Sequence, residues 1–178
     1  MLYWGLQPQE VNRTGMDKLK PVNYSNLAVA ELIDKTTWAN DFSWDEIKTL
    51  GGYFTAYEVE KGTVIFYEGA RADYMGLIVK GRVRVSKTGA DRSVIPLVTL
   101  TESQTFGEQS LIDGEPRSGL AETLEPTVFV ITKRHQLFRM AKEEPDLAFR
   151  VLWKVSHLLS QRLRHTSFKL VDAPGSKL

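Results

Sequence analysis

Along the chain, the spacing of apolar residues is helical at first, changes to alternating near residue 53, and returns to helical after residue 132. In the first stretch Leu27, Ala30, Ile33 and Trp38 fall on one helical face. Ser43, with Glu46 three residues on, forms a capping box that predicts a helix to Leu50, stopped by Gly51-Gly52. The middle stretch holds short β-branched and aromatic runs: Val64-Ile65-Phe66-Tyr67, Leu77-Ile78-Val79, Val83-x-Val85, Val94-Ile95-x-Leu97-Val98 and Val128-Phe129-Val130-Ile131. Turns fall at Lys61-Gly62, Glu68-Gly69, Lys80-Gly81 and between Lys87 and Asp91, a rhythm that predicts a mainly β fold, a compact antiparallel roll or barrel with flanking helices. From Pro145, the residues Leu147, Val151, Val155, Leu158, Leu159 and Leu163 make an apolar stripe on a helix reaching about Phe168, roughly 30 Å long.

This pattern describes one domain over residues 25–172: helices in 25–50, the roll in 53–132 and C-terminal helices in 133–170. Residues 1–24 carry Gly5, Pro8, Gly15 and Pro21 with no sustained period and read as a flexible arm, with Tyr3, Trp4 and Leu6 as docking candidates. Residues 173–178 read as a frayed tail.

Composition narrows the function classes. The 23 Lys and Arg against 22 Asp and Glu leave a formal charge of +1, so no global field recruits nucleic acid or an anionic membrane. The absence of cysteine removes disulfides, thiolate metal sites and cysteine nucleophiles, and suits a reducing cytoplasm. No run of apolar residues reaches membrane-spanning length, and the N-terminus lacks the basic start and apolar core of a secretion signal, so the Asn12 and Asn23 glycosylation-type triplets read as chance.

Candidate chemistry is confined to one segment. Gly114 to Gly119 has P-loop glycine spacing, but Leu120 and Ala121 stand where Lys and Ser or Thr are required, so nucleotide triphosphate hydrolysis is disfavoured. His135, His157 and His165 all lie outside the strand region, and no metal is assigned. Tyr53, Phe54, Phe66, Phe106 and Phe129 read as core, Trp153 as either buried or partner-facing, and Lys133-Arg134 with Arg162–Arg164 as a solvated face.

The segment Phe106-Gly107-Glu108-Gln109-Ser110-Leu111-Ile112-Asp113-Gly114-Glu115-Pro116-Arg117-Ser118-Gly119 combines the parts of an anion-and-diol site. A short helix opening near Gly107 would aim backbone N–H groups at negative charge, Glu108 offers acceptors to a sugar hydroxyl, and Arg117 supplies a planar fork for two phosphate oxygens beside the Ser118 hydroxyl. The alternative is a structural Glu108–Arg117 ion pair in a degenerate domain that has lost its ligand and acts as a protein–protein adaptor or regulatory subunit.

This segment resembles the phosphate-binding cassette of the cyclic nucleotide-binding domains. Glu68-Gly69-Ala70-Arg71-Ala72-Asp73-Tyr74-Met75-Gly76-Leu77-Ile78-Val79-Lys80-Gly81-Arg82-Val83 is similar to the glycine-bounded signature between that family's early strands. Glu144-Pro145-Asp146-Leu147 and Arg162-Leu163 to Thr166-Ser167 resemble the C-terminal helix of the bacterial catabolite activators. The resemblance implies a jelly-roll-like antiparallel β-roll with N-terminal helices and a long C-terminal helix. It implies cyclic AMP or cyclic GMP as ligand, with Gly107, Gln109 and Ser110 along the cyclic phosphate and Glu108 on the ribose 2′-hydroxyl. Arg117 and Ser118 would then bind the phosphate, and Thr166 and Ser167 would reach the purine. Gln109, Ser110 and Gly119-Leu120 depart from the family's usual small or apolar residues. The expected role is regulatory rather than enzymatic, with the C-terminal helix repacking over the ligand or pairing with a second copy in a homodimer. A separate effector protein is a further expected partner, and DNA is not, because the family's DNA-binding domain has no counterpart in the few residues after the helix.

Overall fold

The computed structural model describes Met16 and residues 19–171, which fall into two compact units, one up to Leu137 and one from Phe138. The candidate arm residues Tyr3, Trp4 and Leu6 and the tail 173–178 lie outside the described residues.

In the first unit, α1 (Asn26–Asp34) begins at Ser25, whose hydroxyl oxygen accepts the Ala28 N–H at 3.2 Å. Its buried face is Val29, Ala30 and Ile33, and Leu27 is 51% exposed. Ala30 and Ile33 of the predicted face are buried as expected, but Val29 takes the place of Leu27, a rotation of roughly 50°, because an i, i+1, i+4 set buries as well as an i, i+3 set and the tertiary partner decides which is used. Trp38 sits on a 3₁₀ turn (Thr37–Asp41), stacked on Phe42 and edge-on to Phe54. The predicted capping box opens α2 (Trp44–Leu50), with the Ser43 N–H donating to the Glu46 carboxylate at 2.7 Å.

Eight strands follow: β1 (Thr55–Val59), β2 (Val64–Phe66), β3 (Tyr74–Lys80), β4 (Val83–Thr88), β5 (Val94–Leu100), β6 (Thr105–Phe106), β7 (Leu120–Thr123) and β8 (Thr127–Lys133). They form two antiparallel four-stranded sheets, ordered β1-β8-β3-β6 and β2-β7-β4-β5, the jelly-roll-like arrangement of a β-roll. An aromatic chain fills the interior: Tyr57 stacks on Phe129, Phe129 meets Phe106 edge-on, and Phe66 lies against Phe106 and Tyr74. Gly76 is in register with Phe106, and a Cβ there would lie 2.1 Å from the Phe106 ring, so only glycine lets that ring lie across β3.

Two segments depart from a simple alternation. The apolar run in β5 forms a strand, yet Val94 through Thr99 are all exposed and only Leu100 is buried. β5 is an edge strand, and β7 supports β4 only over Val83–Ser86, so beyond Ser86 the β4–β5 hairpin has no third strand beneath it. At the β1 edge of the other sheet, the Val22 N–H donates to the Ala56 carbonyl and the Tyr24 hydroxyl to Glu58 at 2.5 Å, while Met16 and Leu19 join the roll's apolar cluster. This segment caps the β1 edge.

A short helix, α3 (Glu108–Asp113), lies between β6 and β7, and α4 (Arg134–Glu143) leads from β8 into the second unit. There α5 (Pro145–Val171) opens on proline, which suits a first helical position. Leu147, Ala148, Val151 and Val155 are buried, whereas Phe149, Leu152, Trp153, Leu163 and Phe168 are exposed. Among the described residues no helix is long and apolar enough to cross a membrane.

Candidate functional site

The site is built where β6 turns into α3. Gly107, the N-cap of α3, has φ 73°, and a Cβ there would lie 2.3 Å from Arg117 Nη1; both the left-handed backbone and the guanidinium contact require glycine. Arg117 is fixed through its own backbone, its N–H donating to the Ala70 carbonyl at 2.9 Å and its carbonyl accepting the Gly69 N–H at 2.8 Å. The glycine-bounded block after β2 thus serves as the mount for the arginine.

The Arg117 side chain is buried at 3% exposure. Nη1 donates to the Gly107 carbonyl at 2.6 Å and Nη2 to the Tyr74 carbonyl at 2.7 Å, and the guanidinium lies 4.3 Å from the Phe66 ring centre and 4.2 Å from that of Tyr74. Burial pulls its pKa down, Tyr74 and Asp73 act the other way, and an arginine stays charged regardless. Two carbonyls and two π faces offset part of the desolvation cost. Nε remains buried with no hydrogen-bond partner. The site therefore holds a buried cation whose Nε–H is unspent.

Glu108, the first residue of α3, is 2% exposed and accepts from Thr105 Oγ1 at 3.4 Å. It is not among the partners of Arg117, so the alternative of a structural Glu108–Arg117 ion pair is not what the geometry contains. Ser110 is buried, and the Ser118 hydroxyl donates to Gln109 Oε1 at 2.8 Å. Six of the eight sequence-derived residues, Gly107, Glu108, Gln109, Ser110, Arg117 and Ser118, are brought together. Thr166 and Ser167 belong to α5 in the second unit, exposed, each hydroxyl donating four residues back, to Arg162 O at 2.9 Å and Leu163 O at 3.0 Å.

Several residues of the site were not singled out from sequence. Phe66 and Tyr74 double as core and as walls for the guanidinium; nothing in a strand pattern marks that second role. Val98 pairs in register with Val85, on the face whose next pair inward, Val83 and Leu100, is buried in the roll; yet Val98 is 47% exposed, leaving that apolar wall open. At Gly119 a Cβ would lie 2.7 Å from Ser86 O and 3.5 Å from Val85 Cγ1, so glycine brings the end of the Arg117 segment against this wall. Arg134, assigned to a solvated face, instead donates from Nε to Leu111 O at 2.8 Å and from Nη2 to Ser110 O at 2.6 Å. A periodicity argument had no means to see a side chain capping a helix more than twenty residues away.

A buried cation, a buried carboxylate at a short helix's first turn and an open apolar wall together suit a small ligand that is anionic at one end, hydroxylated in the middle and flat at the other. Among the described residues no three His, Asp or Glu side chains converge to hold a metal.

The profile of the family described as cyclic nucleotide-binding domain matches residues 57–144. A CRP-like cAMP-activated global transcriptional regulator of Mycobacterium tuberculosis is 29% identical over 112 residues, 63% of this chain and 48% of that protein. The cyclic AMP receptor protein of Thermus thermophilus is 28% identical over 126 residues, 71% of this chain and 56% of that one. The chain thus spans about half the length of these relatives. A crystal structure of a cyclic nucleotide-binding domain from Methylobacillus flagellatus superposes with a TM-score of 0.79 at 26% identity, covering 94% of this chain and 97% of that one. The fold agrees with these likenesses, and through residues 57–144 the chain belongs to the cyclic nucleotide-binding domain family.

Proposed function

We propose that this chain is a regulatory sensor, not an enzyme, that binds a cyclic purine mononucleotide, cyclic AMP in preference to cyclic GMP, and reports occupancy through repacking of α5. The observation that carries the reading is Arg117: a fully buried cation with an unpartnered Nε is costly to keep unless an anion completes it. The cyclic phosphate takes that N–H together with the Ser118 hydroxyl and the backbone of Gly107, Gln109 and Ser110. Glu108 accepts the ribose 2′-hydroxyl, and the purine lies along Val85 and Val98. No group placed at the phosphate supplies a general base, so the cyclic ester is bound and released intact.

The preference for adenine rests on Thr166 and Ser167. Their hydroxyl hydrogens are spent on Arg162 O and Leu163 O, which leaves lone pairs. Lone pairs accept from adenine's exocyclic amine but not from the carbonyl that guanine presents there. The exposed stripe Phe149, Leu152, Trp153, Leu163 and Phe168 supports pairing of α5 with a second copy, and a cytoplasmic effector protein would read the change.

Calorimetry with both nucleotides tests this directly. Wild type is expected to bind both, cyclic AMP more tightly by up to about tenfold, and the Thr166→Ala, Ser167→Ala double variant to lose that margin. No binding of either nucleotide defeats the sensor reading; equal affinities, or a margin that survives the double substitution, defeat the account of base choice. Appearance of AMP on prolonged incubation with cyclic AMP defeats the non-enzymatic role.

A further inference from the structure

We infer that Arg134 is a positioning residue of the nucleotide site, holding the C-terminal end of α3 so that Glu108 and the first turn keep a fixed place relative to Arg117. The inference rests on the sensor reading above. At six residues α3 is less than two turns long, too short to hold its own geometry in water, and its N-cap Gly107 supplies no side-chain bond. Two carbonyls of its C-terminal turn accept from Arg134, Leu111 O from Nε at 2.8 Å and Ser110 O, which also accepts the Gly114 N–H, from Nη2 at 2.6 Å. A guanidinium can hold two adjacent carbonyls at once, and its charge complements the negative end of the helix.

Gly114, the C-cap, completes the fit. Its φ is 81°, and a Cβ there would lie 2.6 Å from Arg134 Nη1, so the turn that ends α3 is shaped to admit the guanidinium. Arg134 is itself anchored, its backbone N–H donating to the Asp73 carbonyl at 2.7 Å. The next carbonyl along, that of Tyr74, accepts Arg117 Nη2, also at 2.7 Å. Two arginines tied to consecutive residues at the start of β3 thus grip α3 from both sides, Arg117 at the Gly107 carbonyl and Arg134 at Ser110 and Leu111. Releasing one grip leaves α3 free to rotate about the other and carries the Glu108 carboxylate off the ribose.

The test is a double-mutant cycle in cyclic AMP affinity, measured by calorimetry well below the unfolding temperature. Arg134→Met keeps the aliphatic stem and is expected to raise the Kd several-fold, by no more than Glu108→Gln does, with Arg134→Lys, which can hold one carbonyl, raising it less. Because Arg134 acts through Glu108, the loss from Arg134→Met shrinks in a Glu108→Gln background, whereas a merely stabilising role gives additive losses. Amide exchange in ligand-free protein should quicken over residues 108–114 and not in β8. If Arg134→Met does not fold, the same cycle is run with Arg134→Lys. A folded variant that binds within twofold of wild type, or fully additive losses, overturns the positioning role alone. A wild type that binds neither cyclic nucleotide overturns the sensor reading and this inference with it.

Discussion

The cassette (residues 105–118) and the β4–β5 hairpin (residues 83–100) invert the usual placement of residue types. The cassette buries an arginine and a glutamate at 3% and 2% exposure, while the hairpin leaves Val94, Ile95, Leu97 and Val98 in the open. Sequence polarity alone would assign them the other way round. The difference lies in what each segment is tied to. Arg117 is held by backbone carbonyls and two rings from β2 and β3, a preformed cradle for a charge, whereas Val94 and Ile95 pair with β4 beyond Ser86, where β7 no longer accompanies it, and Leu97 and Val98 lie on an edge strand. Burial follows attachment, and a costly charge kept inside is the placement that the proposed ligand site calls for.

The sharpest way to break this comparison is at Arg117. Removing one partner of a desolvated charge pair costs about 2–5 kcal/mol, so Arg117→Ala is expected to weaken cyclic nucleotide binding by roughly thirty- to several-thousand-fold. Arg117→Lys should also lose affinity, since a point charge cannot hold two carbonyls and an anion together. An unchanged Kd in either variant removes Arg117 from the anion site. Arg117→Met is the informative companion: binding should be lost, while the stability cost of leaving the Gly107 and Tyr74 carbonyls unmet is partly offset because no cation has to be buried, so thermal unfolding falls far less than binding does.

Gly107→Ala attacks the cradle itself. A left-handed φ combined with a Cβ placed 2.3 Å from Arg117 Nη1 should cost at least about 2 kcal/mol in denaturant unfolding; a loss below half of that would mean the turn relaxes freely. Next comes Glu108→Gln, which should weaken binding of cyclic AMP several-fold, roughly 1 kcal/mol, and leave its 2′-deoxy analogue nearly unaffected. Wild-type protein that binds the two ligands equally would take the ribose contact away from Glu108. At the hairpin the expected effect is smallest: Val94→Thr with Ile95→Thr should shift stability by no more than about 0.5 kcal/mol. A larger loss would show that the hairpin is covered in solution, and the comparison would then need a partner on that face.

Much of this architecture was legible before any coordinates. The change of hydrophobic period marks the roll, because strand and helix repeats differ and each must match a buried face. The Ser43–Glu46 box is a local device that acts within one turn, and the order Gly107, Glu108, Arg117, Ser118 carries the chemistry of an anion site in the residue types themselves. Local rules cover what is decided within a few residues.

What the tertiary structure alone decided are the matters that depend on distant partners. Whether Leu27 or Val29 turns inward depends on what α1 packs against. Whether Arg117 pairs with Glu108 or with the carbonyls of Gly107 and Tyr74 depends on where β3 passes, 43 residues away in the case of Tyr74. Arg134 was indistinguishable from a surface cation until the end of α3, 23 and 24 residues earlier, was brought beneath its guanidinium. The strand run of β5 specified its backbone state but not its burial, because burial belongs to a neighbouring strand and hydrogen bonding to the strand's own pairing.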